Sequence, residues 1–226
     1  MREARRYGRV RELFATESAA QRHCELLDGL PVTLVDARAA AALSDTVTPQ
    51  GLVAVCDLVD VPVTTALAGT PTLVTVAAGV ADPGNAGTVI RVADAAGADA
   101  VVLAGNTVDP HNGKAVRAST GSIFHLPLAR ERDAGEALEA CRAAGLTLLA
   151  ASATAELDLF DPAVRGVLAG PVAWVFGAEA HGLPAPLANE ADHRVSVPMI
   201  GRAESLNLAT ATAVCLYATV AARRAA

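Results

Sequence analysis

Four segments of the chain gather residue types that can bind or activate a substrate. The first is Asp82-Pro83-Gly84-Asn85-Ala86-Gly87-Thr88-Val89-Ile90-Arg91. Asn85 suits a helix cap, and Gly84 and Gly87 allow close approach of a second backbone or a ligand. Arg91 falls about two turns into the helix, near Asn85 and Thr88 by helical spacing. Glycines ahead of a helix N-terminus can bind phosphate, but the segment fits neither Gly-x-Gly-x-x-Gly nor a Walker sequence. Taken alone, it also reads as a capped helix with one exposed arginine.

The second segment, from Asn112 to Ser122, places Lys114 and Arg117 on one helix face. Ser119, Thr120 and Ser122 add hydroxyls beside Gly121, and this mixture suits a phosphate group. A solvated helix end with a glycine C-cap looks the same. The third, Trp174 to Pro184, ends an apolar strand at Gly177 and then presents Glu179 and His181. A charge at that point usually needs a partner; His181 reads as a base or as an ordinary loop residue. The fourth, Val195 to Leu208, stops a strand at Pro198 and continues through Met199, Ile200, Gly201 and Arg202 to Ser205, which can cap the last helix. Asn207 is a polar group in that helix's first turn, and the helix itself is apolar enough to be buried by the sheet or by a partner subunit.

These loops need elements to hold them. From Thr72 onward, apolar runs predict strands at 72–78, 99–104, 123–126, 146–151, 171–177 and 194–198. Helices are expected at 85–97, 111–118, 133–144, 184–190 and 205–223. Apolar strands with little alternation, separated by helices, indicate an α/β fold with a mostly parallel sheet covered on both faces. Ligands of such sheets bind outside the carboxyl ends of the strands. Ahead of this lies a small α/β domain over 1–56, with strands at 9–15, 32–35 and 51–56 and helices at 17–27 and 37–43. A linker over 57–71 with one short helical turn joins the two.

Composition narrows the class. The 226 residues are 52% hydrophobic and 19% charged, which excludes a disordered chain. Cys24, Cys56, Cys141 and Cys215 lie in apolar runs without metal or redox spacing, so no metal is expected. The first residues lack an apolar leader, and no stretch is long enough to span a membrane, so a soluble cytoplasmic protein is expected. The net charge of −6 argues against a nucleic-acid partner at first sight. Phosphate affinity follows local contacts instead, and within residues 2–11 Arg2, Arg5, Arg6, Arg9 and Arg11 stand against only Glu3. With few aromatic rings on which to stack bases, any nucleic-acid contact would rest on the sugar-phosphate backbone and shape.

Together the segments resemble the SpoU (TrmH) family of RNA 2′-O-ribose methyltransferases, within the SPOUT superfamily. Asn85, Gly87 and Arg91 match its Asn-x-Gly-x-x-x-Arg motif. Gly177, Glu179, Gly182 and Leu183 match Gly-x-Glu-x-x-Gly-Leu. Pro198, Met199, Gly201, Ser205, Leu206 and Asn207 match Pro-Met-x-Gly-x-x-x-Ser-Leu-Asn. The resemblance covers 72–226, with the motifs in family order. The N-terminal domain is similar, more weakly, to the ribosomal-protein-like substrate-binding domain of many members, trimmed of its usual first strand.

The resemblance implies a C-terminal deep trefoil knot, a homodimer and S-adenosyl-L-methionine as cofactor. The cofactor would be held by Gly177, Val197, Leu206, Met199, Ser205, Ala153 and Ile200. Arg91, Asn85, Glu179 and Asn207 would be catalytic. Arg91 would act as a base of lowered pKa or as a charge stabilising the developing alkoxide, and Glu179 would orient it or a substrate group. Arg117, Ser119, Ser122, Lys114 and Arg9 would contact RNA, with 23S rRNA the expected substrate. A tRNA 2′-O-methyltransferase, a base methyltransferase of another SPOUT branch, a small-molecule methyltransferase and a non-catalytic RNA-binding protein on the same fold are the competing readings.

Overall fold

The computed structural model describes residues 1–153, 155–178 and 182–225. The chain forms two compact units, Met1–Leu58 and Val59–Ala226.

The first unit is a three-stranded sheet of β1 (Val10–Ala15), β2 (Val32–Leu34) and β3 (Leu52–Cys56), in the order β2-β1-β3. β1 runs parallel to β2 and antiparallel to β3. Helices α1 (Arg2–Arg6), α2 (Glu17–Arg22), α3 (Cys24–Leu27) and α4 (Ala37–Ala42) accompany it. The helix expected over 17–27 is broken at His23, whose φ of −115° and ψ of 27° leave the helical region. Helix α1 has no counterpart in the sequence reading.

The second unit is an eight-stranded sheet, parallel at every pairing. Its strands are β4 (Asp60–Val61), β5 (Leu73–Ala78), β6 (Ala100–Ala104), β7 (Leu128–Glu131), β8 (Thr147–Ala151), β9 (Leu157–Asp158), β10 (Val172–Phe176) and β11 (His193–Ser196). They lie in the order β4-β7-β6-β5-β10-β8-β11-β9. The helices are α5 (Val63–Ala66), α6 (Pro83–Ala95), α7 (Gly113–Ala118), α8 (Ala134–Ala143), α9 (Pro162–Ala169), α10 (Ala185–Glu190) and α11 (Leu208–Arg224).

Every residue of β5 is buried, because alternate side chains enter different cores. Leu73 and Ala77 pack with Ile90 of α6, Leu168 of α9 and Leu216 of α11. Val74, Val76 and Ala78 pack with Ala66 of α5 and Leu138 of α8. A sheet covered on both faces has no polar side to alternate with, which explains the continuous apolar runs. Trp174 of β10 anchors α11: its indole Nε1 donates to Thr219 Oγ1 at 2.9 Å inside the core.

Two expectations need correction. Residues 123–126 do not form a strand. Gly121 adopts φ +105° and starts a 3-10 turn over Ser122–Phe124, and the strand follows Pro127 as β7. From Val59 on, the stretch expected as a linker belongs to the second unit, since Asp60 and Val61 pair with Leu128 and Ala129.

Helices α6 and α7 touch through Gly87. A Cβ there would stand 2.2 Å from the carbonyl oxygen of Ala115 and 2.7 Å from Cβ of Ala118. Gly87→Ala therefore lowers stability by about 1–3 kcal/mol, read as a lower denaturation midpoint. Thr75, fully buried, carries the only buried side-chain oxygen or nitrogen without a hydrogen-bond partner among the described residues. Thr75→Val removes that unpaired hydroxyl at nearly constant shape, and thermal denaturation will show a rise of about 1 kcal/mol.

Candidate active site

Strand β10 delivers the fully buried Phe176 and then Gly177. A Cβ on Gly177 would lie 2.0 Å from both the carbonyl carbon of Gly182 and the nitrogen of Leu183. The chain thus passes directly over the strand end, and only glycine fits. Gly182, at φ +66°, returns the loop by donating its N–H to Ala178 O at 2.8 Å. Glu179 and His181, singled out in the sequence, lie outside the described residues.

Beside this crossing is a cavity of about 470 Å³ at the carboxyl ends of β8, β10 and β11. Gly177, Val197, Leu206, Met199, Ser205 and Ala153 all line it. Ile200 does not. It is 94% exposed, while Met199 beside it takes the place in the lining. Sequence reasoning passed over Ser152, Glu204 and Ala211, which also line the cavity. Glu204 directly precedes the quoted Ser-Leu-Asn motif, which was the available signal.

The cavity suits S-adenosyl-L-methionine. Its size is that of a small-molecule site. Phe176, Val195, Leu206 and Leu208 offer an apolar surface, Ser152 and Ser205 offer hydroxyls, and Glu204 offers a carboxylate for the cationic cofactor.

At the start of α11 the cap is Asn207, not Ser205. Asn207 Oδ1 accepts the N–H of Ala209 at 2.9 Å and of Thr210 at 3.4 Å. Its Nδ2 donates to Asn85 Oδ1 at 3.0 Å, joining residues 122 positions apart. At the start of α6 the cap is Asp82, not Asn85: Asp82 Oδ1 accepts the N–H of Asn85 at 2.9 Å. Lys114 Nζ donates to Asp82 Oδ2 at 2.7 Å. That bond, helped by the Asn85 N–H, holds the Asp82 carboxyl below the usual carboxylate range. Lys114, expected to meet RNA, is thus already engaged in tying α7 to the first turn of α6.

Arg91 is exposed on α6, four residues beyond Gly87 and seven beyond Gly84. That spacing places it on their stripe of the helix, and helical side chains lean toward the N-terminus. Arg117 is exposed at the end of α7. Ser119 and Ser122 are buried, at 0% and 5% exposure. Ser119 Oγ donates to Val116 O at 2.8 Å.

In the first unit Arg9 is exposed. Its neighbours are partly structural. Arg5 donates to the carbonyls of Glu25, Leu26 and Asp28 at 2.7–2.8 Å, and Arg11 pairs with Asp57 at 2.6 Å. All four cysteines are free thiols, and burial pushes Cys141 and Cys215 up to about 12. Among the described residues there is no cluster able to hold a metal ion, and no helix is long and apolar enough to cross a membrane.

Comparison with known proteins agrees with the motif reading. The model of the SpoU rRNA Methylase family matches residues 72–217. A relative from Bacillus subtilis, the 23S rRNA guanosine 2′-O-methyltransferase RlmP, is 36% identical over 193 residues, covering 85% of this chain and 74% of that protein. Two solved structures align along 99% of the chain. The AdoMet-bound rRNA methyltransferase from Sinorhizobium meliloti is 32% identical with a TM-score of 0.82 and is covered to 83%. The AdoMet complex of the SpoU methyltransferase AviRb from Streptomyces viridochromogenes is 30% identical with a TM-score of 0.83 and is covered to 87%. The motifs, the parallel sheet and these likenesses converge on one conclusion: the chain belongs to the SpoU rRNA methylase family.

Proposed function

We propose that the protein transfers a methyl group from S-adenosyl-L-methionine to a ribose 2′-hydroxyl of 23S rRNA. The observation that carries this reading is the bond between Asn207 and Asn85. It brings the arginine-bearing helix α6 to the N-terminus of α11, whose preceding residues Ser205 and Leu206 line the cavity. When bound, the cofactor supplies a sulfonium methyl group, an intrinsically good electrophile. The backbone around Gly177 and Val197, with Met199, Ser205, Leu206 and Ala153, would hold it.

The chain's own task is to orient the hydroxyl and assist loss of its proton. Asn85 and Asn207 offer amide groups at the junction of the two helices. Arg91 contributes charge: a guanidinium stays protonated in proteins, so it stabilises the developing alkoxide and the adjacent RNA phosphate. Glu179 orients Arg91 or a substrate group. Arg117 and Arg9 supply phosphate contacts. The rRNA assignment is supported by the names of the relatives, such as the Bacillus subtilis 23S rRNA methyltransferase.

The reading extends to the whole molecule. The first unit binds RNA, the catalytic unit works as a homodimer with a knotted C-terminal half, no metal is needed, and the enzyme acts in the cytoplasm. The order β5-β10-β8-β11, out of sequence, is the kind of crossover a knot requires.

Arg91→Ala will lower methyl transfer to 23S rRNA by about 10²–10³-fold while calorimetry shows unchanged cofactor affinity. Near-wild-type turnover removes Arg91 from the mechanism. Gly177→Ala will do the opposite, weakening cofactor binding by at least tenfold because the added methyl displaces the Gly182–Leu183 backbone. Titration with the cofactor checks it.

A further inference from the structure

A second cleft, of about 600 Å³, opens on the same sheet. It is lined by Gly105, Asn106 and Thr107 after β6, by Arg130, Glu131 and Arg132 at the end of β7, and by Asp60 of the edge strand over Leu103. We infer that this cleft is an RNA subsite, which holds a nucleotide flanking the one that is methylated. The inference rests on the reading of the protein as an RNA methyltransferase.

Three observations carry it. First, the loop that lines the cleft after β6 is tied to the segment leading into α6: Val108 N–H, next to Thr107, donates to Val80 O at 2.8 Å, two residues ahead of Asp82. In the sheet β7 lies two strands from β5, which leads into α6. Two interstrand spacings are about 10 Å, a gap that one or two nucleotides span.

Second, one cation of the cleft is uncommitted. Glu131 Oε1 accepts the N–H of Asp133 at 3.1 Å, and Asp60 lies 3.6 Å from His111 Nε2, which itself accepts the Val59 N–H. Asp109 at the rim takes Arg130 at 3.5 Å and the His111 N–H at 3.0 Å. Arg132 is exposed and has no ion pair among the described residues. It is the cation available to a phosphate.

Third, the lining mixes donors and acceptors. Asn106 and Thr107 provide an amide and a hydroxyl, and Glu131 keeps a second oxygen. That combination suits the ribose and base edge of a nucleotide better than a bare anion. The cleft has no aromatic ring, so stacking falls to the guanidinium planes.

The test compares wild type, Arg132→Gln, Asn106→Ala and, as a charge-matched control, Arg165→Gln on α9. Methyl transfer and binding to a 23S rRNA transcript are measured at several salt concentrations, with cofactor affinity as the folding control. Arg132→Gln should raise the KM for RNA about tenfold and make the salt dependence shallower by about one. Asn106→Ala should raise KM several-fold without altering the salt slope, and Arg165→Gln should match wild type. Arg132→Gln behaving like Arg165→Gln, or Asn106→Ala matching wild type, overturns the subsite. A wild type that neither binds nor methylates the transcript overturns the subsite together with the activity it serves, whereas an active wild type with silent variants overturns the subsite alone.

Discussion

At two points this chain runs so close to itself that no side chain fits between, and the site depends on both. At Gly177 the backbone of Gly182 and Leu183 crosses the end of β10. At Gly87 helix α7 lies against α6, with Ala115 O where a Cβ would be. The first approach shapes one wall of the cavity. The second seats the helix that carries Arg91. A methyl group at either place moves backbone rather than a flexible side chain, and packed interiors resist such shifts. The glycines of the two motifs are thus packing residues before they are ligand residues.

Between these approaches runs a polar chain that sets the register of the two helices. Lys114 holds Asp82, Asp82 caps α6 through the Asn85 N–H, Asn85 accepts from Asn207, and Asn207 caps α11. Each link satisfies a helix-terminal N–H or a side chain that would otherwise compete with it. The same asparagine therefore ends a structural network directly after Ser205 and Leu206, which line the cavity. The core supports this arrangement from below, since Trp174 under α11 bonds to Thr219 and stacks on Phe176 at 6.0 Å between ring centroids.

Much of this was legible in the residues, and the failures have physical causes. The strands of the parallel sheet were visible because burial on both faces makes them apolar throughout, as in Leu73–Ala78. The strand expected at 123–126 is misplaced because an apolar stretch does not show where its first ladder bond begins; Pro127, whose carbonyl accepts from Val101, marks the real start. Helix α9 was missed although Asp161 and Pro162 are a sound cap and first position. Motif residues gave most of the cavity wall, but caps could not be ranked: Asp82 won over Asn85, and Asn207 over Ser205, because each was placed by a partner far away in sequence. The hydroxyl-rich run Ser119–Ser122 gives no sign of how deeply Ser119 and Ser122 are buried.

The central claim is the chemistry of the transferred methyl. Incubating the protein with isotopically labelled S-adenosyl-L-methionine and 23S rRNA, digesting to nucleosides and fragmenting them by mass spectrometry places the label on sugar or base. The account predicts one labelled 2′-O-methylribose per rRNA, lost with the sugar on glycosidic cleavage. Label retained on a base, or no label in RNA while cofactor binding is intact, contradicts it.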